Sequence, residues 1–240
     1  MVVSSGADSL DRIGAAVSGV VQVVTPDGTG SGFLIHPDGL VVTARHVVGN
    51  ERGAAVRLFP QRPEERKIGA MVFRSHSHLD YALMWLLADG PFPFLRIGAP
   101  MKLRHAQTVY AIGSPAGLVN TVSRGIVSNP QGQFKGVTCV QTDAAIDHGN
   151  SGGPLITEEG EAVAVTLWGY GQFDAAKFCV PLDYLTTDIV TAAGYGRERC
   201  LAASYCVTCG FTEYDEPTWF CRNCGAIPRE GDSTEEKGDP

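Results

Sequence analysis

The feature that most limits the fold is a succession of short apolar runs, each closed by a turn signal, from about residue 17 to about residue 181. VSGVVQVV, SGFLI, LVVTA, AAVRLF, IGAMVF and DYALMWLL come first; QTVYAIG, LVNTVSRGIVS, GVTCVQT, EAVAVTLW and AKFCVP follow. The breaks fall at PDG (26–28), HPDG (36–39), GSPAG (113–117) and NPQG (129–132). Runs of this length read as strands, and strands in close succession build sandwiches or barrels rather than alternating α/β layers. The Pro-rich stretch DGPFPF (89–94) divides the series near Pro100, leaving about six strands on each side. The expectation is an all-β chain of two six-stranded antiparallel barrels, over about 10–100 and 101–182. A helix-capable stretch follows over 183–198, with Asp183 as its N-cap and Ile189 and Val190 facing inward. The final residues, 229–240, are polar, acidic and without periodicity, and are expected to be disordered.

Charge removes two classes of partner. The net charge is −7, which invites neither nucleic acid nor an anionic membrane. The start, MVVSSGADSLDR, carries no basic leader, and the apolar run from Ile13 to Val24 is broken by Gly14, Ser18, Gly19 and Gln22. That run is neither a signal peptide nor a membrane span, so the expected location is the cytoplasm.

One stretch asks for chemistry. DHGNSGGPL (147–155) sets Ser151 among three glycines and a proline. A turn could look like this, and so could a nucleophile whose backbone must approach a substrate closely. Acyl transfer by serine needs a base to take the proton and a group to orient that base. His46, where the run LVVTA ends, is a candidate base; Asp80, at the mouth of DYALMWLL, is a candidate orienter. Each residue alone could equally be a turn or core residue. Their order along the chain, His then Asp then Ser, is that of the chymotrypsin-type triad. His46 and Asp80 fall in the first expected barrel and Ser151 in the second, so a cleft between barrels could bring them together.

Four blocks in order, GSGFLIHPDGLVVTARHVV, LDYALMWL, VYAIGSPAGLVNTVSRGIVS and QTDAAIDHGNSGGPL, resemble the trypsin-like serine peptidases, and most closely their HtrA/Deg branch. The resemblance implies a two-barrel fold with His46 as general base, Asp80 as orienter and Ser151 as nucleophile. It implies that the amides of Gly149 and Ser151 form the oxyanion hole, in a loop around His148 that flips between competent and incompetent states. It also implies a primary pocket lined by Ala145, Ile146, Thr166 and Trp168. Ala144, Ala145 and Ile146 bring no deep acid, so a medium apolar side chain before the cut bond is expected. Proteins of this branch usually carry a PDZ domain after the peptidase, and the residues after 200 are too few for one. The expected activity is therefore a serine endopeptidase acting on particular cytosolic proteins through an acyl-enzyme. The alternative is a partner-binding or regulatory protein that keeps the peptidase fold.

The remaining signal lies over residues 200–228. Cys206, Cys209, Cys221 and Cys224 have the spacing C-x2-C-x11-C-x2-C, with Gly210 and Gly225 after the two pairs. Two such turns bring four thiolates to the corners of a tetrahedron, and an all-thiolate set leaves no open position for water. The reading is a zinc ribbon holding one structural zinc; a redox pair is the alternative. So small a segment builds no core of its own, so the metal would fold it. Glu213, Asp215 and Glu216 against Arg222 argue against nucleic acid. Tyr205, Phe211, Tyr214, Trp219 and Phe220 offer apolar surface for docking on the peptidase or on a protein partner. Cys139 and Cys179, inside apolar runs, read as small buried hydrophobes.

Overall fold

The computed structural model describes residues 8–114, 120–146, 149–167, 177–215 and 220–227. The expected oxyanion-loop residues Asp147 and His148, the pocket residue Trp168, the docking residue Trp219 and the acidic tail lie outside the described residues.

Two closed antiparallel barrels form the body, as the strand pattern led us to expect. The first contains β1 (Val20–Thr25), β2 (Gly28–Leu34), β3 (Leu40–Ala44), β4 (Gly53–Leu58), β5 (Arg66–His76) and β6 (Tyr81–Leu86), closed in the order β1-β2-β3-β6-β5-β4. A two-residue strand, β7 (Arg96–Ile97), precedes the second set: β8 (Thr108–Gly113), β9 (Thr121–Phe134), β10 (Val137–Thr142), β11 (Pro154–Thr157), β12 (Glu161–Thr166) and β13 (Lys177–Pro181). These pair as β11-β8-β9-β10-β13-β12, and β11 returns to β12 to close the ring. β7 adds a short parallel pairing outside it, Glu161 to Arg96 and Ala162 to Ile97, which the sequence reading missed.

β3 and β6 are buried along their whole length because both faces are covered. The period of two divides them: Val41, Ala82, Met84 and Leu86 fill the first barrel. Leu40, Val42, Ala44, Tyr81, Leu83 and Trp85 face outward into a second core shared with the helices. A separate cluster around Val109, Val140, Leu155 and Val163 fills the second barrel. Cys139 and Cys179 are buried, and desolvation lifts the Cys139 thiol to about 11.

Three local expectations are corrected. NPQG is no turn: β9 runs through it, and the register against β10 skips from Cys139↔Gly132 to Gln141↔Asn129. Pro130 sits at that irregularity, where a missing amide costs no ladder bond. The turn comes instead at Lys135–Gly136, both with positive φ (49° and 80°), the two-residue geometry that matches strand twist. Second, a helix absent from the sequence reading, α1 (Ser9–Val17), opens the described chain, with the Asp8 carboxylate accepting from the Leu10 amide. Third, the late helix starts after a 3-10 turn over Leu182–Leu185 that contains Asp183, so Asp183 caps nothing. This helix, following the single turn α2 (Arg45–Val48), is α3 (Thr186–Ala202), kinked at Gly196. It buries Ile189 and Ala192, three apart on one face, but leaves Val190 exposed, because at about 100° per residue Val190 points away from that face.

α3 lies against β5, β3 and β6. Its Asp188 accepts from Arg74 Nε at 2.7 Å and from Tyr81 Oη at 2.5 Å on one oxygen, tying the helix to the end of β5 and the start of β6, on either side of Asp80 in the chain. Burial first, and then the Asp188 hydrogen bond, hold the Tyr81 phenol protonated far above its usual range.

Candidate active site

β3 and β6 are antiparallel neighbours with Ala44 opposite Tyr81. The register alone therefore puts the residues just after Ala44 beside the residue just before Tyr81. α2 (Arg45–Val48) is a single helical turn starting at that point, and it carries His46. Asp80 takes a left-handed backbone (φ 54°), which turns its carboxylate back over that helical turn. Its Oδ1 accepts the His46 amide at 2.9 Å and its Oδ2 stands 2.6 Å from His46 Nδ1; the Asp80 carbonyl accepts the Arg45 amide at 3.1 Å. An ionised carboxylate can only accept, so Nδ1 bears a proton, and in the neutral imidazole Nε2 keeps the lone pair. The imidazole is 45% exposed and the carboxylate 27%, so the ring opens to solvent while its partner is half-buried.

Ser151, 5% exposed, follows the first of two positive-φ glycines and precedes the second, Gly149 (100°) and Gly152 (85°). A Cβ at Gly152 would overlap the Ser31 carbonyl oxygen and Thr43 Oγ1 and come within 2.7 Å of the Ala44 amide nitrogen. The Ser151 turn is thus pressed against the end of β3, two residues from His46. A Cβ at Gly153 would overlap the Ile112 carbonyl in β8. These glycines let the turn approach both barrels. Ser31 donates its amide to the Ser151 carbonyl at 2.8 Å, and Thr43 Oγ1 donates to the Ser31 carbonyl at 2.7 Å. No hydrogen bond joins His46 to Ser151 among the described residues.

The pocket candidates occupy different environments. Ala145 is exposed, whereas Ile146 lies in the second-barrel core. Thr166 is buried, and its hydroxyl reaches the carbonyls of Asn150 (2.6 Å) and Gly153 (3.0 Å). Asp143 turns away from them, accepting the Ile126 amide of β9 at 2.7 Å. Ser31 and Thr43 were missed as contributors to this site; the sequence carries no signal that would link them to residue 151.

The family model for the trypsin-like peptidase domain matches residues 30–165, spanning β2 to β12 and all three of His46, Asp80 and Ser151. The chain belongs to that family. Among curated proteins it is 38% identical over 167 residues to bovine serine protease HTRA2, mitochondrial, covering 67% of this chain and 35% of the relative. Against serine protease HTRA1 of Xenopus laevis the identity is 40% over 147 residues, 58% of this chain and 31% of the relative. A probable periplasmic serine endoprotease DegP-like from Hahella chejuensis is 38% identical over 163 residues, 65% of this chain and 33% of the relative. The chain spans about a third of the length of these HtrA/Deg relatives.

The cysteine unit lies beyond the trypsin-like match. Cys206, Cys209, Cys221 and Cys224 bring their four sulfurs within 4.8 Å of one another, with Cys206–Cys224 at 3.8 Å and Cys209–Cys221 at 3.6 Å. Four thiolates on one zinc at ~2.3 Å stand about 3.8 Å apart, so the cluster fits a tetrahedral metal ion. The two knuckles match: the Gly210 amide reaches the Cys206 carbonyl at 2.7 Å and the Gly225 amide reaches that of Cys221 at 2.8 Å. Both glycines have φ near +75°, at 77° and 75°.

A two-residue hairpin, β14 (Ser204–Tyr205) with β15 (Thr212–Glu213), frames the first knuckle and docks it on the first barrel. Tyr205 Oη meets Ser75 Oγ at 2.9 Å, Thr212 Oγ1 donates to the Phe73 carbonyl, and the Arg74 guanidinium lies 5.8 Å over the Phe211 ring. Tyr205 and Tyr214 pack on the barrel cores, while Phe220 stays partly exposed. A groove of about 550 Å³ remains between this unit and Asn50–Glu51, in the loop after α2.

Proposed function

We propose that the chain is a serine endopeptidase, cutting peptide bonds of protein substrates through an acyl-enzyme. The observation that carries this is the 2.6 Å contact of His46 Nδ1 with Asp80, made beside the strand end against which the Ser151 turn is packed. In the proposed sequence, Ser151 Oγ attacks the scissile carbonyl carbon while His46 Nε2 takes the hydroxyl proton. The carbonyl π electrons move to the oxygen, which the amides of Gly149 and Ser151 receive. Collapse expels the amine, protonated by the imidazolium, and leaves the acyl ester on Ser151. Water, deprotonated by His46, then attacks the ester and regenerates the free serine. Asp80 stays ionised and stabilises the imidazolium. The missing His46–Ser151 hydrogen bond is compatible with this, since such bonds commonly tighten only when substrate is bound.

For substrate choice we propose a medium apolar residue before the cut bond, presented to Ala145 and to the end of β12 that carries Thr166, in proteins of the cytoplasm. The cysteine set is proposed to bind one structural zinc. The groove beside it, with Phe220 and Ile227 exposed, is proposed to receive a protein partner. A fluorophosphonate probe tests the central reading: wild-type chain should be labelled and Ser151→Ala should not. Equal labelling of both, or none of either, would reject it.

A further inference from the structure

Ser31 lies in the first barrel, 0% exposed, 118 residues away in sequence from the turn it touches. It meets that turn through both its backbone and its side chain. Its amide donates to the Ser151 carbonyl at 2.8 Å, and its hydroxyl stands 2.6 Å from the Gly149 carbonyl. The Ser114 amide reaches the same hydroxyl oxygen at 2.9 Å. Proton positions follow without ambiguity: an amide can only donate and a carbonyl can only accept. The single Ser31 proton therefore points at Gly149, and its oxygen accepts from Ser114.

The effect is on peptide planes. The plane joining Gly149 to Asn150 is held at its carbonyl by Ser31 Oγ at 2.6 Å and, at the longer distance of 3.4 Å, by the Ser114 amide. The plane joining Asn150 to Ser151 is held at its carbonyl by the Gly153 amide at 2.9 Å and Thr166 Oγ1 at 2.6 Å. The plane joining Ser151 to Gly152 is held by the Ser31 amide at one end and, at the other, by the Gly152 amide donating to Thr166 at 2.8 Å. In a trans peptide the N–H opposes the C=O, so pinning a carbonyl aims the amide on its far side. Of these ties, the Ser31 hydroxyl is the side-chain one that sets Gly149, a residue whose positive φ leaves it many conformations unless something selects one.

We infer that Ser31 is a positioning residue for the oxyanion site: by fixing the Gly149–Asn150 peptide from the opposite barrel, its hydroxyl orients the Asn150 amide directly and limits rotation about the Gly149 Cα, which keeps the turn in the conformation that presents the flanking Gly149 and Ser151 amides to a developing negative charge. The inference rests on the peptidase reading above. It implies that Ser31 is felt in the transition state and hardly in ground-state binding, because the amides it aligns meet full negative charge only after attack.

The test uses the full chain and its Ser31→Ala variant, with thermal melts alongside peptide hydrolysis. The expected result is a kcat lower by roughly tenfold to a hundredfold, at or below the roughly hundredfold to thousandfold loss when an oxyanion donor is removed outright, because the amides remain and only their alignment loosens. KM should stay within about twofold, and affinity for a peptide boronate, a tetrahedral anion on Ser151, should fall by the same factor as kcat/KM. A folded variant with kcat within about twofold of wild type, or one that changes only KM or melting temperature, overturns the inference. If Ser31→Ala does not fold, a crystal structure of the wild-type chain with the boronate decides: a retained Ser31 Oγ–Gly149 hydrogen bond supports the role, and its loss refutes it. Failure of the peptidase reading has a different signature, in which wild type and Ser151→Ala hydrolyse peptide equally or not at all.

Discussion

The Ser75 amide donates to the Gly210 carbonyl at 3.0 Å, joining the strand that leads toward Asp80 to the first knuckle of the cysteine unit. The approach is so close that a Cβ on Gly210 would overlap the Ser75 carbonyl and hydroxyl oxygens. Gly210 also has φ 77°. Gly210→Ala should cost roughly 1–3 kcal/mol, the usual range for a strained backbone position, and should loosen the unit from the barrel. Hydrogen exchange would check it: the amide of Ser75 should lose protection before those of β3. Uniform protection would show that the contact is incidental.

Metal removal should act on the same contact. One zinc per chain is expected by elemental mass spectrometry, and a chelator or Cys221→Ser should lower the melting temperature and open residues 204–227 to protease while the barrels survive. The reason is that so few residues bury too little surface to hold their own turns. An unchanged melt after verified metal loss would argue against a structural role.

At the proposed catalytic centre, Asp80→Asn should lower kcat on the order of 10⁴-fold while leaving the fold intact, because an amide can donate to Nδ1 and stabilise the wrong tautomer. His46→Ala should do at least as much. Activity should also fall on acidification as the imidazole takes a proton and ceases to be a base. A rate that is flat from about pH 8 to about pH 5 would contradict the role.

His76 gives a separate pH effect, on stability. Burial first, and then Arg74 beside it, lower its proton affinity, with His78 acting the same way and Asp188 opposing. Its Nδ1 accepts the Leu79 amide at 3.2 Å, and its ring stacks on Tyr81 with centroids 5.6 Å apart, within the turn that ends at Asp80. A base held neutral in the fold binds fewer protons than the unfolded chain, so its contribution is complete above the ordinary imidazole pKa of about 6.5 and declines as pH falls below it. Melting temperatures of wild type and His76→Asn should therefore differ in their fall between about pH 7 and about pH 5.5, with the variant falling less. Parallel curves would remove His76 from the account.

Sequence alone was enough for the features that repeat or are spaced locally. Strand periodicity announced two barrels. The paired C-x2-C turns, each followed by glycine, announced a four-sulfur cluster. Each of these signals is local because side-chain alternation, a knuckle turn and a glycine-rich bend are decided by neighbours a few residues apart. Local signals also misled: NPQG has the composition of a turn, yet cross-strand pairing carried β9 through it with a bulge. Only the tertiary structure decided that Ser31 and Thr166 grip the Ser151 turn, that Gly152 must be bare to meet Ala44, and that Gly210 sits on Ser75. Apart from the Thr166 ties, which lie within the second barrel, those contacts join residues from different barrels or modules, and no periodicity connects any of them. They exist because closing two barrels brings distant backbone groups into a water-poor seam, where every buried amide and carbonyl must find a partner.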